Sequence, residues 1–175
     1  SLKDFMDTEN IDVMGLVEAH GDGFKDALKD EFGATQCKDS TCNQKKECFL
    51  VSQDEEWRVG DTECDRFNVA IKELLHELAD TGTEFADKSL PAQRLQNLKC
   101  AVAGRREDDP VVYVVAYANS GLETKEQMSF LTEINAQLEA AFGDLTNLPV
   151  VLMGDWNTTT PVSYTHLRAH ETFHD

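Results

Sequence analysis

Basic residues are scarce in this chain: 16 Lys and Arg stand against 33 Asp and Glu, for a net charge of −17. General affinity for polyanions comes from Lys and Arg displacing counterions at phosphates, so the overall charge argues against tight, nonspecific binding of DNA or RNA. A local basic groove is compatible with it, but the plainer reading is a solvated acidic surface. No apolar run reaches the length of a transmembrane helix. The opening Ser1-Leu2-Lys3-Asp4-Phe5-Met6-Asp7 resembles neither a signal peptide nor a natural start, so localisation stays open. There is no C-x-x-C pair among Cys37, Cys42, Cys48, Cys64 and Cys100. The first three are separated by four and five residues, which fits no standard zinc pattern. The odd count favours free thiols, with a bridge from Cys37 to Cys42 or Cys48 as the alternative in a secreted relative. No internal repeat and no low-complexity tract interrupts the chain.

What is present is the composition of a globular domain or of a piece of a larger one: 175 residues, 41% apolar and 28% charged. Ile11 to Glu18 is an apolar run suited to a central strand covered on both faces. After Gly21-Asp22-Gly23, the residues Phe24, Ala27, Leu28 and Phe32 recur at helical spacing up to Gly33, a C-cap candidate. Residues 34–47 read as a polar loop, and Cys48–Val51 with Trp57–Val59 as a hairpin. Ile71, Leu74, Leu75 and Leu78 give one stripe of a helix over Asn68 to Asp80. Residues 81–96 read as a loop broken by Gly82 and Pro91. Leu98, Cys100 and Val102 alternate with Lys99, Ala101 and Ala103, the pattern of a half-exposed strand. Val111 to Tyr117 is a buried strand, and Met128, Leu131, Ile134, Leu138 and Phe142 mark an amphipathic helix. Leu148 to Met153 forms the last buried strand and runs into Gly154-Asp155-Trp156-Asn157.

Three apolar strands therefore end in polar groups: Glu18, then Tyr117 with Asn119, then Asp155 with Asn157. Open α/β sheets bind ligands at the carboxyl ends of their strands, which predicts that these groups converge on one crevice. Carboxylates such as Glu18 and Asp155 suit Mg²⁺, whose octahedron is completed by water and phosphate oxygens. Asn157 can donate hydrogen bonds to charge developing on a phosphate oxygen, and Tyr117 can donate to phosphate or orient a nucleophile. Each residue alone has a structural explanation, because strands often end in Asp, Glu or Tyr. The Gly-Asp-Trp-Asn block after an apolar strand is the part that favours chemistry.

On these residues the chain resembles the endonuclease/exonuclease/phosphatase superfamily, which includes deoxyribonuclease I, AP endonucleases, neutral sphingomyelinases and inositol polyphosphate 5-phosphatases. Gly154-Asp155-Trp156-Asn157 matches the family's G-D-[FWL]-N motif. Asp12-Val13-Met14-Gly15-Leu16-Val17-Glu18 is similar to D-[IV]-x-x-L-Q-E, with Val17 where Gln is usual. Ala116-Tyr117-Ala118-Asn119 to Gly121 puts Tyr where many members have His, and is similar to the A-Y-x-x-N segment of AP endonucleases. The likeness covers roughly residues 5–160. It implies α/β class: a partial four-layer α/β/β/α sandwich of the deoxyribonuclease I-like type, with the first sheet and part of the second present. It implies hydrolysis of a phosphoester by activated water with Mg²⁺ or Mn²⁺. Asp155 would position or deprotonate the water. Asn157 and Tyr117 would stabilise the phosphorane-like charge, Asn119 would contact substrate, and Glu18 would hold the metal. DNA, RNA, a phospholipid and an inositol phosphate all remain as substrates. A non-catalytic relative that uses the same sandwich as a binding scaffold is the alternative, and the departures at Val17 and Tyr117 permit it.

Val162 to Thr172 is identical to the in-frame translation of a transposase-type sequencing adapter, so residues 162–175 are expected to be foreign to the fold. His166 and His170, whose spacing would put two imidazoles on one helix face, then carry no functional weight. The acidity does not originate there, since Arg168, Glu171 and Asp175 are the segment's only charged residues apart from its histidines. Residues 1–161 are expected to be an incomplete domain. The family's first strand, with its Asn, would precede Ser1, and the closing Ser-Asp-His-type motif would follow Thr160. The chain by itself is accordingly expected to be inactive.

Overall fold

Ser1 opens the first helix with a reciprocal cap: its hydroxyl accepts the Asp4 N–H, and the Asp4 carboxylate accepts in return from the Ser1 backbone. The computed structural model describes residues 1–19, 23–40, 47–120 and 129–157. Along the chain come α1 (Leu2–Glu9), β1 (Val13–Ala19), α2 (Phe24–Phe32), β2 (Cys37–Asp39) and β3 (Glu47–Ser52). Then follow α3 (Thr62–Ala79), a 3₁₀ turn (Phe85–Asp87), α4 (Leu90–Arg94), β4 (Leu98–Arg105), β5 (Val112–Ala118), α5 (Ser129–Phe142) and β6 (Val150–Asp155). The protein is thus mixed α/β, with two three-stranded sheets and five α-helices among the described residues. The adapter-like segment 162–175, with His166 and His170, lies outside them.

The first sheet has the order β1-β3-β2 and is antiparallel throughout. The second has the order β4-β5-β6, with β4 antiparallel and β6 parallel to β5. A parallel pair needs a long crossover, and α5 lies in that connection. β3 shows how one strand serves two interiors. Phe49 and Val51 pack with Met6 of α1 and with Leu28 and Phe32 of α2. Cys48 and Leu50 point the other way, into the main core built by α3, α5, β4 and β5. Burying each such large apolar side chain contributes about 1.5–3 kcal/mol. β1 follows the same period of two: Met14 and Leu16 join the helix-covered side, Val13 and Val17 the main core.

The two sheets approach closely at Gly15, where a Cβ would stand 2.7 Å from Met153 Sδ and 2.9 Å from Val115 Cγ2. A disulfide between Cys48 of β3 and Cys100 of β4 ties the sheets together nearby. This replaces the pairing of Cys37 with Cys42 or Cys48 weighed from spacing, and Cys37 and Cys64 are free thiols. Burial pushes the Cys37 thiol up to about 11 and, with Asp61 beside it, the Cys64 thiol up to about 12.

Several elements differ from the sequence expectation. α3 starts six residues before Asn68, because Asp61 caps it: its carboxylate accepts the Cys64 N–H at 3.2 Å and pairs with Arg105 at 3.0 Å. Cys48–Val51 makes no hairpin with Trp57–Val59; β3 pairs with β1 and β2, and Trp57 bridges to Arg106. β4 is buried on both faces rather than half exposed, since Ala101 and Ala103 pack beneath α3. β6 is only partly covered, as an edge strand among the described residues. Loop 81–96 contains the 3₁₀ turn and α4, and ahead of α4 stands the nearly buried Lys88. Its Nζ donates to the carbonyls of Glu77, Leu78 and Asp80 at 2.7, 2.9 and 2.6 Å, closing the C-terminal end of α3.

Candidate functional site

β5 and β6 run in parallel register from Val112 opposite Val150 to Tyr117 opposite Asp155. Both strands therefore reach their carboxyl ends at the same level, and Tyr117 and Asp155 are backbone neighbours there. Gly154 makes this approach possible. Its φ is +145°, and a Cβ on it would stand 1.8 Å from the Ala116 carbonyl oxygen, so only glycine fits. Beyond it, the Asp155 carboxylate accepts the Asn157 N–H at 2.9 Å, closing an Asx turn with Asn157 in the left-handed region at φ 48°. The Asn157 side chain donates to the Ala118 carbonyl at 2.7 Å, which ties the turn to the end of β5.

Tyr117 is 2% exposed, on the face of β5 shared with Tyr113 and Val115 that looks toward the first sheet. Its hydroxyl donates to Glu18 Oε1. Strict alternation along β1 would send Glu18 to the opposite side, with Met14 and Leu16 under the helices. Two backbone features turn it round. The β1–β3 register slips between Leu16 and Ala19, so β1 carries one extra residue there. Glu18 itself sits at φ 56°, a conformation that costs a non-glycine residue about 1–2 kcal/mol. Bulges are one of the ways a sheet re-aims a side chain.

A second bulge faces the first across the two sheets. Leu98 opposes Ala118 and Cys100 opposes Tyr117, which leaves Lys99 as the extra residue of β4. By alternation Lys99 would share the α3 side with Ala101 and Ala103. Instead its Nζ donates to the Tyr117 hydroxyl at 2.9 Å and lies 4.3 Å from the centre of that ring. No local signal in the sequence distinguishes Lys99 from a solvated strand lysine.

Of the residues singled out by sequence, the fold thus brings Glu18 onto Tyr117, and sets Asp155 and Asn157 at the same strand ends. Asn119 stands apart in its contacts: its backbone N–H donates to the Asn97 carbonyl at 2.7 Å and its side-chain amide to the Gln96 carbonyl at 3.4 Å. Both bonds run toward the segment before β4. Among the described residues, no three His, Cys, Asp or Glu side chains form a group that could hold a metal ion. Nor, among them, is any helix long and apolar enough to cross a membrane. No protein-family model matches the chain, and no curated protein matches it either.

Proposed function

We propose that this chain comes from a divalent-metal-dependent phosphoesterase, built on a four-layer α/β/β/α sandwich of the deoxyribonuclease I-like type. The layer order supports that architecture: α1 and α2 lie outside the first sheet, the sheets meet at Gly15, and α3 and α5 share the main core with the second sheet. One observation carries the functional reading. Glu18 is held in a disfavoured backbone conformation at a bulge, and its carboxylate thereby meets Tyr117 beside the Gly154-Asp155-Trp156-Asn157 turn. Strain retained at a strand end, with polar groups converging on it, is the pattern of a site rather than of a core.

The donor set fits Mg²⁺ or Mn²⁺. Mg²⁺ takes one or two carboxylates and completes its shell with water and substrate oxygens, so a cluster of three acidic side chains is not required. Glu18 and Asp155 are both solvent-exposed carboxylates at neighbouring strand ends, and Glu18 is the one that would hold the ion. When bound, the ion supplies charge neutralisation on a phosphate oxygen. The chain's own residues do the rest. Asp155, pinned by the Asn157 N–H, orients or deprotonates the attacking water. Asn157 stays on the Ala118 carbonyl until substrate offers its amide a more negative acceptor. Tyr117 directs its proton to Glu18, which makes orientation of that carboxylate its first task.

The test is hydrolysis of an aryl phosphodiester, DNA, RNA, sphingomyelin and an inositol phosphate by the protein translated from its uninterrupted transcript, with and without EDTA. We expect metal-dependent turnover that Asp155→Asn reduces by about 10²-fold or more with the fold kept, since the two side chains are nearly equal in size. Turnover that ignores EDTA, or an undiminished Asp155→Asn rate, refutes the reading. A folded protein with no turnover on any of these substrates favours a binding scaffold instead.

A further inference from the structure

We propose that Lys99 is a positioning residue: its ammonium holds the Tyr117 hydroxyl with its proton turned toward Glu18, and so fixes the carboxylate at the mouth of the site. Its relevance to turnover rests on the hydrolase reading above, whereas the geometry does not.

The direction of the relay follows from valence. A lysine ammonium has donors only, so its 2.9 Å bond to Tyr117 Oη occupies a lone pair of that oxygen. The phenol has one proton, and it is given to Glu18 Oε1. Were Lys99 absent, the hydroxyl would keep its single torsional freedom and could accept from other donors. With Lys99 present, the order Lys99 to Tyr117 to Glu18 is the arrangement that uses every group in its proper role. Such a chain also polarises its members, because each bond strengthens the next.

Two independent irregularities build this relay. The extra residue of β4 is Lys99, and the extra residue of β1 lies between Leu16 and Ala19, where Glu18 takes φ 56°. Each bulge sacrifices regular pairing in its own sheet, and the two sheets do not share a ladder. A lysine serving only solubility would need no bulge. Both irregularities turn a charged side chain that alternation would send to the far side of its own sheet onto the hydroxyl of Tyr117, a residue only 2% exposed. The buried phenol is therefore held between a cation and a carboxylate of opposite charge, the arrangement by which an outer residue sets the orientation of a ligating one.

The test uses the full-length protein with its tyrosine ring carbons isotopically labelled, and the variants Lys99→Met, Lys99→Arg, Glu18→Gln and Tyr117→Phe. Tyr117→Phe assigns the Tyr117 resonance. We expect Lys99→Met and Glu18→Gln each to move that resonance at neutral pH while Tyr113 stays in place, and Lys99→Arg to restore most of the original position. We further expect Lys99→Met to lower kcat by about 10- to 100-fold with little change in KM. In a Tyr117→Phe background the same exchange should add almost nothing. A Tyr117 resonance that Lys99→Met leaves unmoved overturns the proposal, and so do losses that multiply in the double variant, because Lys99 would then act on substrate directly. If the protein hydrolyses nothing, the hydrolase reading falls, and the resonance alone decides the positioning role.

Discussion

Cutting the link between the sheets offers the most quantitative check on this fold. The perturbation is the double exchange Cys48→Ala with Cys100→Ala. The two cysteines are 52 residues apart, and releasing a loop of that size frees the unfolded chain by about 4 kcal/mol at room temperature. Both side chains are fully buried, so removing the sulfurs leaves a small void between β3 and β4 that costs about 1 kcal/mol more. Against the 5–15 kcal/mol typical of a whole domain, a loss of about 5 kcal/mol is a large share. Urea unfolding followed by the fluorescence of Trp57 and Trp156 measures it. The midpoint should fall, and the slope should rise, because an unlinked chain exposes more surface when unfolded. Reductant alone should do nothing to the folded protein, whose two sulfurs are out of reach, and should reproduce the double variant once urea opens the structure. A double variant that loses under about 1 kcal/mol, with an unchanged slope, refutes the claim that this bridge constrains the unfolded chain.

Other outcomes follow from local geometry. Gly154→Ala should destabilise the protein by about 3 kcal/mol or more, since the new methyl would overlap the Ala116 carbonyl; an unchanged thermal midpoint would contradict the register of β5 and β6. Cys37 and Cys64 should resist alkylation at neutral pH until the chain unfolds, as their burial keeps both thiols protonated. The same two groups set an alkaline limit. Their folded values are raised from 9.0 to about 11 and about 12, so above pH 9 the unfolded chain binds fewer protons than the native one. The thiols' contribution to stability should be constant below that point and decline from it up to about pH 12. Denaturant midpoints that hold steady across that range would show that the thiols are not buried as described.

The sequence by itself determined the parts of this protein that depend on near neighbours. The stripe from Ile71 to Leu78 and the one from Leu131 to Phe142 each fold as helix, because a periodic apolar face needs no distant partner to be recognised. Gly33 ends α2 where the pattern breaks, and the apolar runs around Leu16, Val114 and Leu152 all become strands. The Gly154-Asp155-Trp156-Asn157 block was legible as the end of an apolar strand, and its Asx bond and left-handed Asn are local, whereas its glycine is required by the Ala116 carbonyl of β5. Tertiary structure decided the rest. The start of α3 comes from a cap at Asp61 rather than from its stripe, and Asp61 is held by Arg105, which is remote in sequence. The Cys48–Cys100 bridge joins two sheets that spacing cannot bring together. Most decisive are the bulges at Glu18 and Lys99. Period-two alternation sends both side chains away from Tyr117, and only an extra residue in each ladder reverses them. A bulge belongs to the pairing of two strands, so neither strand's sequence contains it, and Lys99 became visible at the site only once both sheets were in place.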